Sequence, residues 1–335
     1  MAELAEFTKV RRAHEGVILA KPNVVGVGIG YKVRRGQTTD ELSIVIMVRQ
    51  KLPEAGLDAE ALLPPVIDGL GTDVIEVGDL RALQARTDRW RPAPGGVSLG
   101  HYQVTAGTFG SVVRDRTTGD RLILSNNHVL ANSNNASPED PILQPGAADG
   151  GQVENDTIAH LERFCPILFS TLPPVCPFAD AVADLANNLA RLVGSKHRLR
   201  AFQSDPTASN LADAAVALPT DDGDILDEIL EIGVVSGTTP ATIGMAVRKS
   251  GRTTGLTSGA ITLLEATVNV GYGEGRIARF EGQIVTSPMS QGGDSGSLLV
   301  AGDSLHAVGL LFAGSNQVTI HNPIQAVLDC LEVTI

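Results

Sequence analysis

From Val97 onward the chain is written in short apolar runs: Phe109–Val113, Arg121–Leu124, Ala260–Leu264, Ser297–Val300 and Ala307–Phe312. Each is cut off by Gly, Asn, Asp or Thr. Runs this short are the length of strands rather than helices, and their regular interruption by turn residues predicts a barrel or a sandwich. Thirty-six glycines and an aromatic content of only 4% add many tight turns and a core of small and β-branched side chains.

The first 90 residues read differently. Val24–Tyr31 (VVGVGIGY), Leu42–Val48 and Thr72–Val77 are strand-like, and a short helix is expected near Gly56–Leu63, giving a small β-β-α-β domain. Gly26-x-Gly28-x-Gly30 superficially resembles a dinucleotide fingerprint. It lacks the Gly-x-x-Gly helix entry, and a second strand stands where the helix should begin, so it reads as a glycine-rich strand. Leu80–Gly96, with Pro92 and Pro94, reads as a linker or an extended crossing segment. The expected division is therefore a small α+β domain over 1–90 and an all-β domain over 91–335. An insertion of about 132–210 carries one amphipathic helix with its stripe at Phe178, Val182, Leu185, Leu189 and Leu192.

With 26 basic and 38 acidic residues the chain carries a net charge of −12. That balance disfavours nucleic acid or an anionic membrane surface as the main partner. No apolar run is long enough to span a bilayer. Met1–Asn23 has no apolar centre of the secretory kind, so a cytoplasmic location is expected. Three cysteines are no disulfide framework; a Cys165–Cys176 bridge is open, although a cytosolic chain keeps such thiols reduced. The histidines show no metal-ligand spacing, and no cofactor is implied.

Three segments carry chemistry. Gln291-Gly-Gly-Asp-Ser-Gly-Ser297 enters an apolar run. Its glycines permit a tight turn that presents the Ser295 hydroxyl, with the amides of Gly293 and Ser295 free to face a developing oxyanion. Leu122–Leu130 (LILSNNHVL) ends a strand in small polar residues and presents His128, a base of the right strength to take a proton from serine near pH 7. Asn210–Leu218 (NLADAAVAL) places Asp213 at the head of an apolar strand, where a carboxylate is costly unless paired.

In the order His128, Asp213, Ser295 these segments resemble the chymotrypsin-like serine proteases. Lys249–Gly255 (KSGRTTG) is similar to the first strand of the second barrel in bacterial members such as α-lytic protease and the streptogrisins. The N-terminal block resembles, more specifically, bacterial trypsin-like proteins related to the plant Narrow Leaf proteins. The resemblance implies a mainly β fold, a double β-barrel of six strands each, with the triad His128–Asp213–Ser295 in the cleft between barrels and an acyl-enzyme route to peptide hydrolysis. It implies Met289 at the base of the pocket for the residue before the scissile bond, supplying no charge and favouring apolar or small residues there. Phe312, Ala313 and Gly314 would pair with the substrate backbone. It also implies that Arg252 pairs with Asp294 and braces the oxyanion loop without N-terminal cleavage. Two positions depart from the family: Val129 stands where a disulfide cysteine often follows the histidine, and Ser297 where a second glycine is usual. The expected partner is a protein or peptide substrate, with self-association through the insertion or the N-terminal domain; the insertion's helix is expected to act as a lid or as such a surface. A peptide-binding scaffold without hydrolysis, and an esterase using the same triad, are the alternatives.

Overall fold

The computed structural model describes residues 2–34, 36–52, 61–78, 84–173, 176–197 and 199–335. Residues Ala2–Leu19, to which the sequence assigned no element, form helix α1. The segment is rich in Ala, Leu, Glu, Lys and Arg and holds no proline, which suits a helix. Phe7 and Ile18 lie three turns apart on one side and are buried with Ile44, Ile46 and Ile67. Strands β1 (Val24–Arg34) and β2 (Gln37–Val48) make an antiparallel hairpin. Strand β3 (Val66–Ile67) pairs with β4 (Leu70–Glu76), which runs parallel to β2 with Ile46 opposite Val74. Gly26-x-Gly28-x-Gly30 lies within β1, so the glycine-rich strand is what forms. A Cβ at Gly26 would stand 2.7 Å from the tip of Met47. Residues 56–60 of the expected short helix lie outside the described residues, and 61–63 are not helical.

The chain divides after Gln84. Residues 85–90, grouped by the sequence with the N-terminal domain, lie in the second unit. Trp90 packs on a core there and its N–H donates to Gln144 Oε1 at 2.8 Å. The expected linker is likewise structured at its end: Ala93–Gly95 is a fully buried strand, β5.

The second unit is mainly β. Its first half contains β6 (Ser98–His101), β7 (Gly107–Thr108), β8 (Ser111–Asp115), β9 (Arg121–Ser125), the single-turn helix α2 (Asn127–Leu130), β10 (Pro141–Leu143), α3 (Val153–Asp156) and β11 (Thr157–Phe164). After an excursion of β12 (Phe169–Leu172), α4 (Pro177–Leu192) and β13 (Gln203–Ser204), β14 (Ala215–Pro219) completes it. Strand β7 runs on into β8, and the antiparallel pairings β8–β9–β14–β11–β10–β6–β7 bring the sheet back to its start. That is a closed barrel of six strands when β7 and β8 count as one, filled by Leu99, Phe109, Ile123, Ile142 and Leu161. Full burial of a side chain of this kind contributes about 1.5–3 kcal/mol.

Strands β15 (Ile225–Ile229), β16 (Gly233–Val234) and β17 (Gly237–Thr238) lead to β18 (Ala246–Gly251), β19 (Gly255–Gly271), β20 (Ile277–Thr286), β21 (Leu298–Ala301), β22 (His306–Gly314) and β23 (Thr319–Pro323). The pairings β18–β19–β20–β23–β22–β21–β18 close a second six-stranded antiparallel barrel. Helix α5 (Ile324–Leu331) and β24 (Val333–Thr334) then return to the first barrel, where β24 pairs with β8.

Two expectations need correction. The insertion is shorter than 132–210, because β10 and β11 within it are barrel strands; the added segment lies between β11 and β14. Its helix α4 forms where the stripe indicated, yet buries no residue. Phe178 is 77% and Leu192 83% exposed. The cysteine that pairs with Cys165 is Cys330, in α5, whereas Cys176 is free and exposed. The bond joins the end of a first-barrel strand to the chain's last helix, a proximity that sequence distance conceals. Such bonds are uncommon in a reducing cytosol.

Candidate active site

The turn over Gln291–Ser297 depends on two left-handed glycines, Gly293 at φ 95° and Gly296 at φ 94°. A Cβ at Gly296 would stand 2.4 Å from the Thr108 carbonyl, and one at Gly293 2.5 Å from Thr253 Oγ1. The first barrel holds the turn directly. Thr108 donates its N–H to the Ser295 carbonyl (2.8 Å) and its hydroxyl to the Gly293 carbonyl (2.9 Å). The Gly296 N–H donates to the Leu311 carbonyl at 2.9 Å. Ser297 donates its hydroxyl to the Asp294 carbonyl at 2.6 Å and so closes the turn on itself. Among the described residues, the N–H groups of Gly293 and Ser295 donate to no protein acceptor. These are the two amides expected of an oxyanion hole.

Strand β9 ends at Ser125, whose hydroxyl donates to the same Thr108 carbonyl (2.8 Å), and α2 begins at once, carrying His128. Asn126 Nδ2 ties this corner to the Asp213 carbonyl oxygen at 2.7 Å. His128 Nδ1 lies 2.6 Å from Asp213 Oδ2, and the His128 N–H donates to Oδ1 at 3.2 Å. Asp213 is fully buried, whereas the imidazole remains 23% exposed. A carboxylate at Nδ1 fixes the proton there, which leaves Nε2 with a free lone pair. The structure thus pairs His128 with Asp213 and seats the Ser295 turn on strands that lead to His128.

One contact to this carboxylate had no signal in the sequence. The Tyr272 hydroxyl donates to Asp213 Oδ2 at 2.7 Å. Burial, reinforced by the neighbouring Asp213 charge, pushes that phenol well above its ordinary value, so it is protonated and donates.

Asp294 does not take Arg252. Its carboxylate pairs with Lys249 Nζ at 3.1 Å and accepts further bonds from the N–H groups of Thr253, Thr254 and Gln291 and from the Thr254 hydroxyl. Burial pushes the Asp294 carboxyl up, but the Thr254 hydroxyl, the Lys249 charge and the two amides of Gln291 and Thr254 outweigh it and hold it below the ordinary range. Arg252 turns instead to Asp149, with Nε at 2.8 Å from Oδ2. The need for a buried cation was legible; its position was off by three residues.

Beside Ser295 a cleft of about 360 Å³ is lined by Ser290, Gln291, Gly292, Leu311, Ala313, Gly314, Ser315 and Asn316. Ala313 and Gly314 are among the lining residues. Phe312 is not; it packs against Phe280 with ring centroids 4.7 Å apart. Nor is Met289, whose side chain is buried in the second barrel's core with Val247, Ile261 and Leu299. The wall at that point is Ser290, whose hydroxyl lies 2.9 Å from Thr319 Oγ1. Among the described residues no charged side chain lines the cleft. Behind it His321 is fully buried against Thr286 Oγ1 at 3.1 Å; burial, then Lys249, lowers it to about 3, so it is neutral.

The chain is similar to the chymotrypsin-like serine proteases. Streptogrisin-D of Streptomyces griseus is 48% identical over 75 residues, 22% of this chain and 18% of that protein. Glutamyl endopeptidase 2 of the same organism is 36% identical over 104 residues, 30% of this chain and 53% of that protein. The chain therefore spans between about a fifth and a half of the length of these curated relatives. Among solved structures, the Nocardiopsis protease aligns with 72% of this chain and 98% of its own at 18% identity and a TM-score of 0.46. Residues 2–78 match the family model described as the NARROW LEAF 1 N-terminal domain.

Proposed function

We propose that this protein is a serine endopeptidase with Ser295 as nucleophile, His128 as base and Asp213 as the group that orients it. The observation that carries the reading is the His128–Asp213 hydrogen bond of 2.6 Å, in a site that also offers the undonated amides of Gly293 and Ser295. Ser295 Oγ attacks the scissile carbonyl while His128 Nε2 accepts its proton. The two amides stabilise the oxyanion, a contribution worth about 10²–10³ in rate per donor. The imidazolium returns its proton to the leaving amine, which departs and leaves an acyl-enzyme. Water, deprotonated by the same nitrogen, then releases the acid. An extended peptide running beside Ala313 and Gly314 would present an uncharged residue to the cleft.

A fluorophosphonate probe applied to the purified full chain tests this, with peptide mapping of the product. Labelling at Ser295, together with peptide-library cleavage by wild type and none by Ser295→Ala, is the expected result. No labelling at Ser295 overturns the assignment, and labelling with ester but no peptide turnover overturns the peptidase reading.

A further inference from the structure

Asp213 is a fully buried carboxylate with two oxygens to satisfy. Oδ1 accepts the His128 N–H, and Oδ2 faces His128 Nδ1. Among the described residues one further donor reaches the carboxylate, the Tyr272 hydroxyl at 2.7 Å. Tyr272 comes from a distant part of the chain, the hairpin between β19 and β20, which its own N–H closes by donating to the Arg276 carbonyl at 2.9 Å. Its ring is fixed on several sides. Phe169 meets it edge-on at 5.6 Å, Phe280 stacks at 6.3 Å, and the His128 ring stands edge-on at 6.0 Å. Phe169 belongs to β12 of the added segment, paired with β20 at Ala278, and the Arg276 guanidinium lies over its ring at 5.3 Å.

We propose that Tyr272 is a positioning residue of this site, holding the Asp213 carboxylate in the plane where it orients His128, and that the added segment supports it through Phe169. This rests on the serine-hydrolase reading above. The phenol transfers no proton. It donates one fixed hydrogen bond, which restrains Oδ2 and draws off part of the negative charge that His128 would otherwise feel. Without it the carboxylate is freer to rotate and its field at the imidazole is stronger. Turnover then falls, and the imidazolium becomes easier to form.

Tyr272→Phe in the full chain removes one oxygen and keeps every ring contact. The expected result is a fall in kcat of about tenfold, the scale of one hydrogen bond to a charged group. KM stays unchanged, and the acid limb of the kcat/KM profile moves to higher pH. An unchanged kcat with an unmoved acid limb overturns the proposal. If wild type labels with no fluorophosphonate and cleaves nothing, the functional reading has failed. The positioning role is then read from the His128 imidazole by NMR titration: a rise in its midpoint in Tyr272→Phe supports it, and an identical midpoint overturns it. Should the variant not fold, a carbon label at Tyr272 Cζ in the wild type decides. A phenol still protonated well above pH 10 supports the contact, and one that titrates like free tyrosine overturns it.

Discussion

The Lys249 ammonium stands 3.1 Å from the Asp294 carboxylate, and solvent reaches neither side chain. This pair sits directly beneath the residue proposed as nucleophile. Burial lowers the lysine below its ordinary value against the pull of Asp294. Lys249→Met leaves a buried carboxylate without a counterion, a change that costs about 3–5 kcal/mol. A large fall in the thermal midpoint and loss of fluorophosphonate labelling are expected. Arg252→Ala removes the Asp149 pair and the donation to Thr253 Oγ1 but leaves Asp294 its own cation, and should do less to the turn. Equal losses in the two melts would show that Lys249 is not the cation on which the turn depends.

The same carboxylate sets an acid limit. Its folded pKa lies below the ordinary 3.8, so its contribution to stability is present above that value and lost as pH falls through the lower one. Thermal midpoints of wild type should drop in that acid window more steeply than those of Asp294→Asn. Parallel curves for the two proteins would remove Asp294 from the account.

Asp213→Asn should keep the fold and lower kcat by about 10⁴, because an amide stabilises the wrong imidazole tautomer. Ser295→Ala and His128→Ala should abolish cleavage without unfolding. Initial rates with a peptide substrate, beside melts of each variant, are the measurement. Cleavage by Ser295→Ala at the wild-type rate would mean that another group is the nucleophile.

The cleft predicts a preference for uncharged residues before the scissile bond, since Ser290, Gln291, Ser315 and Asn316 bring hydroxyls and amides but no carboxylate. A peptide library dominated by cleavage after Arg or Lys would contradict this. Gly314→Val should narrow the cleft, because a Cβ there already meets Ser290 Oγ and the Val318 carbonyl at 3.1 Å. A raised KM for bulky residues, with small ones little affected, is the expected profile.

Cys330→Ser should destabilise the protein by about 2–5 kcal/mol, whereas Cys176→Ser should change little. In freshly isolated, unreduced protein a thiol reagent should label Cys176 alone. Labelling of all three cysteines would support the cytoplasmic location expected from the N-terminus and count against the bridge.

The sequence made the candidate site legible wherever chemistry is local. A serine on a glycine turn, a histidine at a strand end and an aspartate heading an apolar strand each announce themselves within nine residues or so; the turn spacing left a barrel or a sandwich open, and the pair of barrels came only from the family resemblance. What failed was direction and distance. Val247, Lys249 and Gly251 are buried along β18, so strand period could have turned Lys249 inward, though not shown its partner; Arg252 lies past the strand, in the turn. Met289 was placed by likeness to a family position, and its side chain goes to the core. Tyr272 gave no signal, because its hairpin tip lies 59 positions from Asp213 and nothing local marks where a hydroxyl will point. Helix α1 escaped notice because its apolar side is thin, with Phe7 and Ile18 its buried residues in that core.

The return of α5 and β24 to the first barrel makes the second unit a clasp. Leu122, Leu124 and Val216 of the first barrel share one buried cluster with Leu298 and Leu310 of the second and Val327 and Leu331 of α5. Cys165 belongs to the same cluster, and its bond to Cys330 at the exposed side of α5 ties the two ends covalently. A break in the connection between the barrels, around Gly237–Gly244, therefore frees neither half. The fragments stay bonded through sulfur, packed through that cluster and paired through β8 and β24, so a single nick leaves His128 and Ser295 in one body.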